Sequence, residues 1–155
     1  MITAVDTNIV LDVMIPDAPH HHESERALME ANASGPLIIS EPVYAELASR
    51  FPHQREFDQF LADARLRFEP SLPAALHAGG VAWGMYIRRR PTGLECPQCG
   101  AQQSTRCPQC GASSQPRQHL SADFIVGAHA LLQADRLLTR DRRYYRTYFP
   151  TLQLG

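Results

Sequence analysis

The chain has 155 residues, of which 44% are apolar and 20% are charged, and its formal net charge is −1. This length and composition predict one globular domain whose core is large enough to fold without disulfides. No apolar run approaches the ~18 residues that span a bilayer, and the N-terminus lacks the basic and apolar regions of a signal peptide. We therefore expect a cytoplasmic protein with no membrane association, in which closely spaced cysteines bind metal.

Charge is distributed unevenly along the chain. Residues 1–69 carry twelve acidic side chains and five arginines, whereas residues 70–155 carry four and ten, which gives formal charges of −7 and +6. All fifteen basic residues are arginine, whose guanidinium group can hold a phosphate through two parallel hydrogen bonds. A basic surface beside acidic residues is what a metal-dependent nuclease needs, although a solvated charged surface has the same composition.

The predicted elements alternate between strands and helices. The first strand, residues 2–5, ends at Asp6, and a helix begins at Thr7 or Asn8. Further strands are predicted at residues 36–40, 65–69 and 136–139, with a short edge strand at 152–154. Further helices are predicted at residues 20–33, from about 42, and at 54–64, 73–90, 121–132 and 140–148. This order indicates a three-layer α/β/α sandwich with a central parallel sheet, formed by residues 1–155.

A cysteine-rich insertion, residues 91–118, interrupts this pattern. It holds every cysteine of the chain, within a doubled CPQCGA: Cys96, Cys99, Cys107 and Cys110. Two such pairs can meet on one tetrahedral Zn²⁺, and four thiolates leave no open position, so the zinc is structural. The segment resembles a small zinc ribbon or a pair of zinc knuckles. Whether it extends a nucleic-acid surface, contacts a partner or only stabilises a loop stays open.

Four carboxylates are expected to converge where strands of the sheet end, because ligands of parallel sheets bind beyond the carboxyl ends of the strands. They are Asp6, Glu46, Asp123 and Asp141. Such oxygens suit Mg²⁺ or Mn²⁺, and Thr7 and Thr139 could orient ligands or water. Individually, Asp6 could instead cap a helix, Glu46 face solvent, Asp123 complement a helix dipole and Asp141 lie in a turn.

Several other polar residues are predicted to be structural. Asp12, Asp17 and Asp135 are assigned to the surface, and Glu41 to the first turn of a helix. The run His20-His21-His22 is interpreted as a solvent-facing start of a helix, with a transition-metal site as the alternative. We expect His129 to be partly buried and hydrogen bonded.

At this point the sequence resembles a known family. The segments VDTNIVLD, SEPVYAELA, SADFIVGAHAL and LLTRDRRYY are similar in order and spacing to the motifs of PIN-domain ribonucleases, especially the VapC-type toxins of bacterial toxin–antitoxin pairs. The resemblance covers the chain apart from about residues 91–118. It implies an α/β/α sandwich, dependence on Mg²⁺ or Mn²⁺, endonucleolytic cleavage of RNA, a homodimer and a small antitoxin partner. By motif, the four carboxylates form the acidic quartet, and Thr7, Asn8 and Thr139 are the accessory polar residues.

Seven arginines are predicted to bind the phosphates of an RNA substrate: Arg88, Arg89, Arg90, Arg106, Arg140, Arg142 and Arg143. Tyr144, Tyr145 and Tyr148 could stack on bases, or they could pack within the protein.

Three other functions were weighed against a toxin nuclease. A PIN-domain nuclease of RNA processing would need no antitoxin, and a zinc and RNA-binding adaptor would have no catalytic activity. A phosphotransferase of the haloacid dehalogenase kind also begins with an Asp at a strand end, but it needs a second Asp where this chain has Asn8.

Overall fold

The computed structural model describes residues 1–89, 94–95, 101–103, 106–113 and 121–155. The strands in these ranges are β1 (Thr3–Val5), β2 (Leu37–Ile39), β3 (Leu66–Phe68), β4 (Leu94–Glu95), β5 (Gln102–Gln103) and β6 (Arg136–Leu138). The helices are α1 (Thr7–Met14), α2 (His21–Ser34), α3 (Glu41–Ala48), α4 (Gln54–Asp63), α5 (Pro73–Arg89), α6 (Ala122–Gln133) and α7 (Arg142–Tyr148). Within these ranges, no helix combines the length and apolar composition that crossing a bilayer requires.

The central sheet has the strand order β3-β2-β1-β6, and all neighbouring pairs are parallel. Strands β1 and β2 are buried along their whole length, because helices cover both faces of the sheet. The predicted α/β fold with a central parallel sheet is confirmed. The predicted edge strand at 152–154 is reduced to one isolated parallel bridge between Leu154 and Leu137.

Close approach of two helices, α5 and α6, builds one side of the core. Phe124 on α6 is fully buried and lies edge-on to Trp83 of α5, with ring centroids 5.4 Å apart. Gly79 makes this approach possible, since a Cβ at that position would lie 2.9 Å from the Phe124 carbonyl oxygen. Gly127 plays the same part for the buried ring of Phe149.

The connection from β3 to α5 is fixed by side chains from other elements. The Glu41 carboxylate accepts hydrogen bonds from the Ser71 backbone N–H (2.8 Å) and hydroxyl (2.6 Å). His129 is buried, and its Nε2 lies 2.9 Å from the Glu69 carbonyl oxygen, which can only accept, so Nε2 carries the proton. The predicted hydrogen-bonded His129 is confirmed.

Part of the cysteine-rich insertion lies within the described residues. Strands β4 and β5 pair antiparallel, and Arg106 forms an antiparallel bridge with Ser113. In the turn between Arg106 and Ser113, the Gly111 N–H donates to the Cys107 carbonyl (2.9 Å), and Gly111 has a φ of +72°. Glycine adopts this left-handed conformation at little cost, which explains its place after the second cysteine of the pair.

Candidate active site

The carboxyl ends of three adjacent strands bring a row of polar residues together. Val5 of β1 pairs with Leu138 of β6, so Asp6 and Thr139 are the next residues beyond the pair. On the other side of β1, the same register carries on to Ser40 after β2. All three residues are buried. The site thus lies at the edge of the sheet where the sequence predicts it.

Asp6 is held by three hydrogen-bond donors. Its Oδ2 accepts from the Thr139 hydroxyl (2.7 Å), the Asn8 side-chain amide (2.8 Å) and the Tyr145 hydroxyl (3.3 Å). Burial raises the pKa of the Asp6 carboxyl, and the charge of Asp123 raises it further, while the Thr139 hydrogen bond acts in the opposite direction. Asp6 occupies the N-cap position of α1, but its side chain makes no capping hydrogen bond there, so capping alone does not account for its environment.

The other three carboxylates surround the same position from different helices. Glu46 on α3 is exposed, and it accepts a short hydrogen bond from the hydroxyl of Thr7, the residue after Asp6. Asp123, in the first turn of α6, accepts from the Ser121 hydroxyl at 2.9 Å. Asp141 precedes α7, and its Oδ1 accepts from the Tyr144 backbone N–H at 3.3 Å, so it also caps that helix.

The hydroxyl of Tyr145 lies among these acidic groups. Burial raises the pKa of Tyr145, and the charges of Asp6, Asp123 and Asp141 add to the effect. These three carboxylates therefore lie near the same phenol. Glu46 joins them through Thr7.

A hard divalent cation fits this set of donors. Within the described residues, no three of the four carboxylates place oxygens within 4.8 Å of one another. Mg²⁺ and Mn²⁺ accept such oxygens either directly or through bound water. Ser40 supports the fit, because its buried hydroxyl at this same sheet edge has no hydrogen-bond partner among the described residues, which leaves it available to bound water.

Two functional side chains were not predicted from the sequence. Tyr145 is 1% exposed and donates to Asp6, so it packs within the site and does not stack on bases. The prediction that Asp12 lies on the surface is wrong, since Asp12 is 6% exposed. Its carboxylate binds the Arg140 guanidinium through Nε (2.7 Å) and Nη2 (3.1 Å) and accepts from the Ser24 hydroxyl (2.7 Å).

The position of Asp12 connects it to the site. The Arg140 backbone N–H donates to the Asn8 side-chain oxygen at 3.2 Å, and Asn8 donates to Asp6. Asn8 and Asp12 are four residues apart on α1, which puts them on one face of the helix. That spacing is the sequence signal from which the role of Asp12 could have been found.

The basic residues predicted to bind RNA occupy different environments. Arg88 and Arg89 end α5 and are exposed, as are Arg142 and Arg143 at the start of α7. The Arg140 guanidinium is paired with Asp12, although its side chain is 38% exposed.

The remaining two arginines belong to the insertion or its boundary. Arg106 is exposed and its Nη1 donates to the Gly111 carbonyl at 3.3 Å. Arg90 lies outside the described residues. The exposed arginines on α5 and α7, and Arg106 in the insertion, are therefore accessible to a phosphate.

Half of the predicted cysteine site can be described. Cys107 and Cys110 are not paired in a disulfide. The backbone N–H groups of Cys110 and Gln109 are directed at the Cys107 sulfur and lower the pKa of that thiol. N–H groups directed at sulfur favour the thiolate, which is the form that binds metal. Cys96 and Cys99 lie outside the described residues.

Comparisons with known proteins agree with this architecture. Neither a protein-family model nor a curated protein sequence matches the chain. Among solved structures, the chain is similar to a chain of VapBC2 from Rickettsia felis, in a structure with a bound DNA fragment from the VapBC2 promoter. The TM-score is 0.61 and the identity is 19%, and the similarity covers 100% of this chain and 98% of that chain. It is also similar to one in VapBC-1 from nontypeable Haemophilus influenzae, with a TM-score of 0.58 and 21% identity over 100% and 97%.

Identities of this size establish the fold. The chain shares the α/β fold of these two chains, and its cysteine-rich segment lies between α5 and α6.

Proposed function

We propose that this protein is a metal-dependent endoribonuclease that hydrolyses phosphodiester bonds in RNA. The observation that supports it most directly is the buried Asp6 carboxylate, which three donors hold beside Asp123 while Asp141 and Glu46 face the same region. The negative charge of Asp123 raises the pKa of this buried carboxyl, and none of its three hydrogen-bond donors carries a positive charge. A bound cation would offset the cost of burying Asp6 in its charged form.

In this proposal, Asp6, Glu46, Asp123 and Asp141 hold Mg²⁺ or Mn²⁺. When bound, such an ion lowers the pKa of a water and stabilises charge on the leaving oxygen. The chain itself supplies orientation: Thr139, Asn8 and Tyr145 fix the Asp6 carboxylate, and Thr7 fixes Glu46.

The substrate and partner are inferred from the surface and the fold. Exposed arginines at the end of α5 and the start of α7 provide phosphate contacts for RNA, and the insertion, with one structural Zn²⁺ held by its four cysteines, lies on the connection between α5 and α6. Because the chains with similar folds come from VapBC complexes, we assign to this protein the role of a cytoplasmic, homodimeric toxin that a small antitoxin inhibits.

Two substitutions and one control test the catalytic proposal. Asp6→Asn and Asp141→Asn should each lower RNA cleavage by ~10²-fold or more, the range typical of groups that act on the transition state. Asp17→Asn, at an exposed loop position, should cleave like the wild type. Cleavage is measured with labelled RNA in Mg²⁺ and in Mn²⁺. Full cleavage by Asp6→Asn would show that Asp6 takes no part in the reaction, whereas no cleavage by the wild type would favour the non-catalytic adaptor.

The thermal stability of Asp6→Asn distinguishes a loss of catalysis from a loss of folding. A carboxyl whose pKa is raised in the folded state contributes stability below its unfolded value, 3.8, and loses it as the pH rises through the folded value. At pH 7 and without divalent cations, Asp6→Asn should therefore melt at a higher temperature than the wild type. Below about pH 4 the difference should disappear. Calorimetry at both pH values measures it, and a lower melting temperature at pH 7 would contradict the assignment.

Growth experiments test the toxin role. Expression of the wild-type chain in bacteria should arrest growth, and Asp141→Asn should relieve the arrest. Cleavage in vitro without any growth arrest would instead favour a nuclease of RNA processing.

A further inference from the structure

A second group of potential metal ligands lies at the start of α2, on side chains that the proposed nuclease reaction does not use. His21, His22 and Glu25 each place a ligand atom within 4.8 Å of the other two. We propose that these residues bind a divalent transition-metal ion of the Zn²⁺ and Ni²⁺ class. This site is separate from the carboxylates at the sheet edge and from the cysteine-rich insertion.

The first argument is the protonation of His21. Its Nδ1 lies 3.0 Å from the Asp12 carbonyl oxygen. A carbonyl oxygen can only accept a hydrogen bond, so Nδ1 carries the proton and Nε2 presents its lone pair. Histidines that bind metals are oriented in this way, with the second ring nitrogen donating to a backbone carbonyl or a carboxylate.

The second argument is the placement of the other two ligands. Glu25 lies four residues after His21, one helical turn further along the same face. The ring of His22 lies edge-on to that of His21, with centroids 5.1 Å apart and an interplanar angle of 75°. Two imidazole nitrogens and a carboxylate are thereby grouped at a half-buried to exposed position that an ion can enter.

The start of α2 is also rigidly placed, which lowers the cost of bringing the ligands together. Ser24, between His22 and Glu25, is buried and donates to the Asp12 carboxylate at 2.7 Å. Arg140 also holds that carboxylate through its guanidinium. Asp12 therefore fixes the helix through its side chain and orients His21 through its carbonyl.

The ligand types decide which ions are bound. Imidazole nitrogen favours Zn²⁺, Ni²⁺, Co²⁺ and Cu²⁺ over Mg²⁺ and Ca²⁺, which prefer oxygen. The positive end of the α2 dipole opposes any cation here, and the Glu25 carboxylate offsets it. Three protein ligands leave further positions for water or for a ligand from another molecule, unlike a closed site of four cysteines.

The test uses the full chain without a histidine tag. Its cysteines are first loaded with Zn²⁺, unbound Zn²⁺ is removed, and the buffer contains excess Mg²⁺. Calorimetric titration with Ni²⁺ should show one site per chain. His22→Ala and Glu25→Gln, both at exposed positions, should each weaken it at least ~10-fold, the lower limit for loss even of an outer-shell group. His77→Ala, at an exposed histidine on α5, should bind Ni²⁺ like the wild type.

Nuclear magnetic resonance identifies the ligands directly. Ni²⁺ is paramagnetic, so the ring signals of His21 and His22 should broaden at one equivalent, while those of His77 should not. The proposal is overturned if the wild type binds no Ni²⁺ under these conditions. It is equally overturned if the two variants bind with unchanged affinity, or if the broadened signals lie elsewhere in the chain.

Discussion

At the scale of one residue, Asp12 positions other residues of the candidate site, although we assign it no catalytic role. It holds Arg140, and the backbone of Arg140 contacts Asn8, which in turn contacts Asp6. The consequence is that residues 139–141, which carry Thr139 and Asp141, are fixed against α1. We interpret Asp12 as a positioning residue and not as a further ligand.

Asp12→Asn tests this role. The substitution weakens two charged hydrogen bonds, and since the Arg140 side chain is 38% exposed, we expect a loss of about 2 kcal/mol in the free energy of unfolding. Urea denaturation measures it. Glu69→Gln, which removes the exposed Arg67–Glu69 pair, is the matched control and should cost under about 1 kcal/mol. Equal losses in the two variants would show that Asp12 contributes no more than a surface charge.

At the scale of elements, the contact of α6 with its neighbours depends on Gly79 and Gly127. In the sequence, these two glycines only lower the helix propensity of the segments that contain them. Gly127 faces a ring, since a Cβ there would lie 2.6 Å from Cδ2 of Phe149. Phe149 is 4% exposed and cannot move aside without disturbing the core.

Gly127→Ala should therefore destabilise the protein by about 1–3 kcal/mol through overpacking, despite the better helix propensity of alanine. Gly80→Ala provides the opposite expectation. It lies on the exposed face of α5 with nothing within 4 Å of the added Cβ, so it should stabilise by roughly 0.5–1 kcal/mol. Thermal melts of both variants show whether each substitution raises or lowers the stability of the protein. Stabilisation by Gly127→Ala would mean that the Phe149 ring adapts freely.

The insertion is an element of a different kind, because its composition provides no aliphatic core. Its described half holds the Cys107 sulfur near backbone N–H groups, which is consistent with a metal-bound thiolate. Four-cysteine zinc binding and any contact with RNA stay predictions.

For the molecule as a whole, the buried His129 should make the free energy of unfolding depend on pH. Burial lowers its pKa below the unfolded value of 6.5, so the unfolded chain binds a proton that the folded chain refuses. Stability is complete above that value and is lost as the pH falls towards the folded pKa. We expect the free energy of unfolding to decrease between about pH 7 and pH 5.

His129→Gln keeps an amide donor for the Glu69 carbonyl but cannot titrate in this range, so its unfolding free energy should depend less on pH. His53→Gln, at an exposed histidine, should retain the wild-type slope. Urea denaturation at several pH values supplies the slopes. The same slope in His129→Gln and the wild type would assign the dependence to another group.

The sequence predicts the fold well because each strand of the parallel sheet has an apolar run or an alternating pattern, and helical patterns of ordinary length lie between the strands. The acidic residues could be located for the same reason, since strand ends determine where they meet. Asp12 shows only its four-residue spacing from Asn8, and Tyr145 shows no comparable signal, because the burial of both depends on partners from distant elements: Ser24 and Arg140 for the first, and Asp6 for the second. Pairwise contacts of this kind leave no periodic signal.

The position of the insertion divides the acidic quartet into halves. Asp6 and Glu46 precede it, whereas Asp123 and Asp141 follow it, and β1 pairs with β6 across the division. A chain cut within residues 91–118 would thus give two fragments, each with half of the carboxylates: the first has β1, β2 and β3, and the second has β6, an edge strand of the sheet. Only reassembly of the two fragments would restore the four-stranded sheet and the whole set of carboxylates.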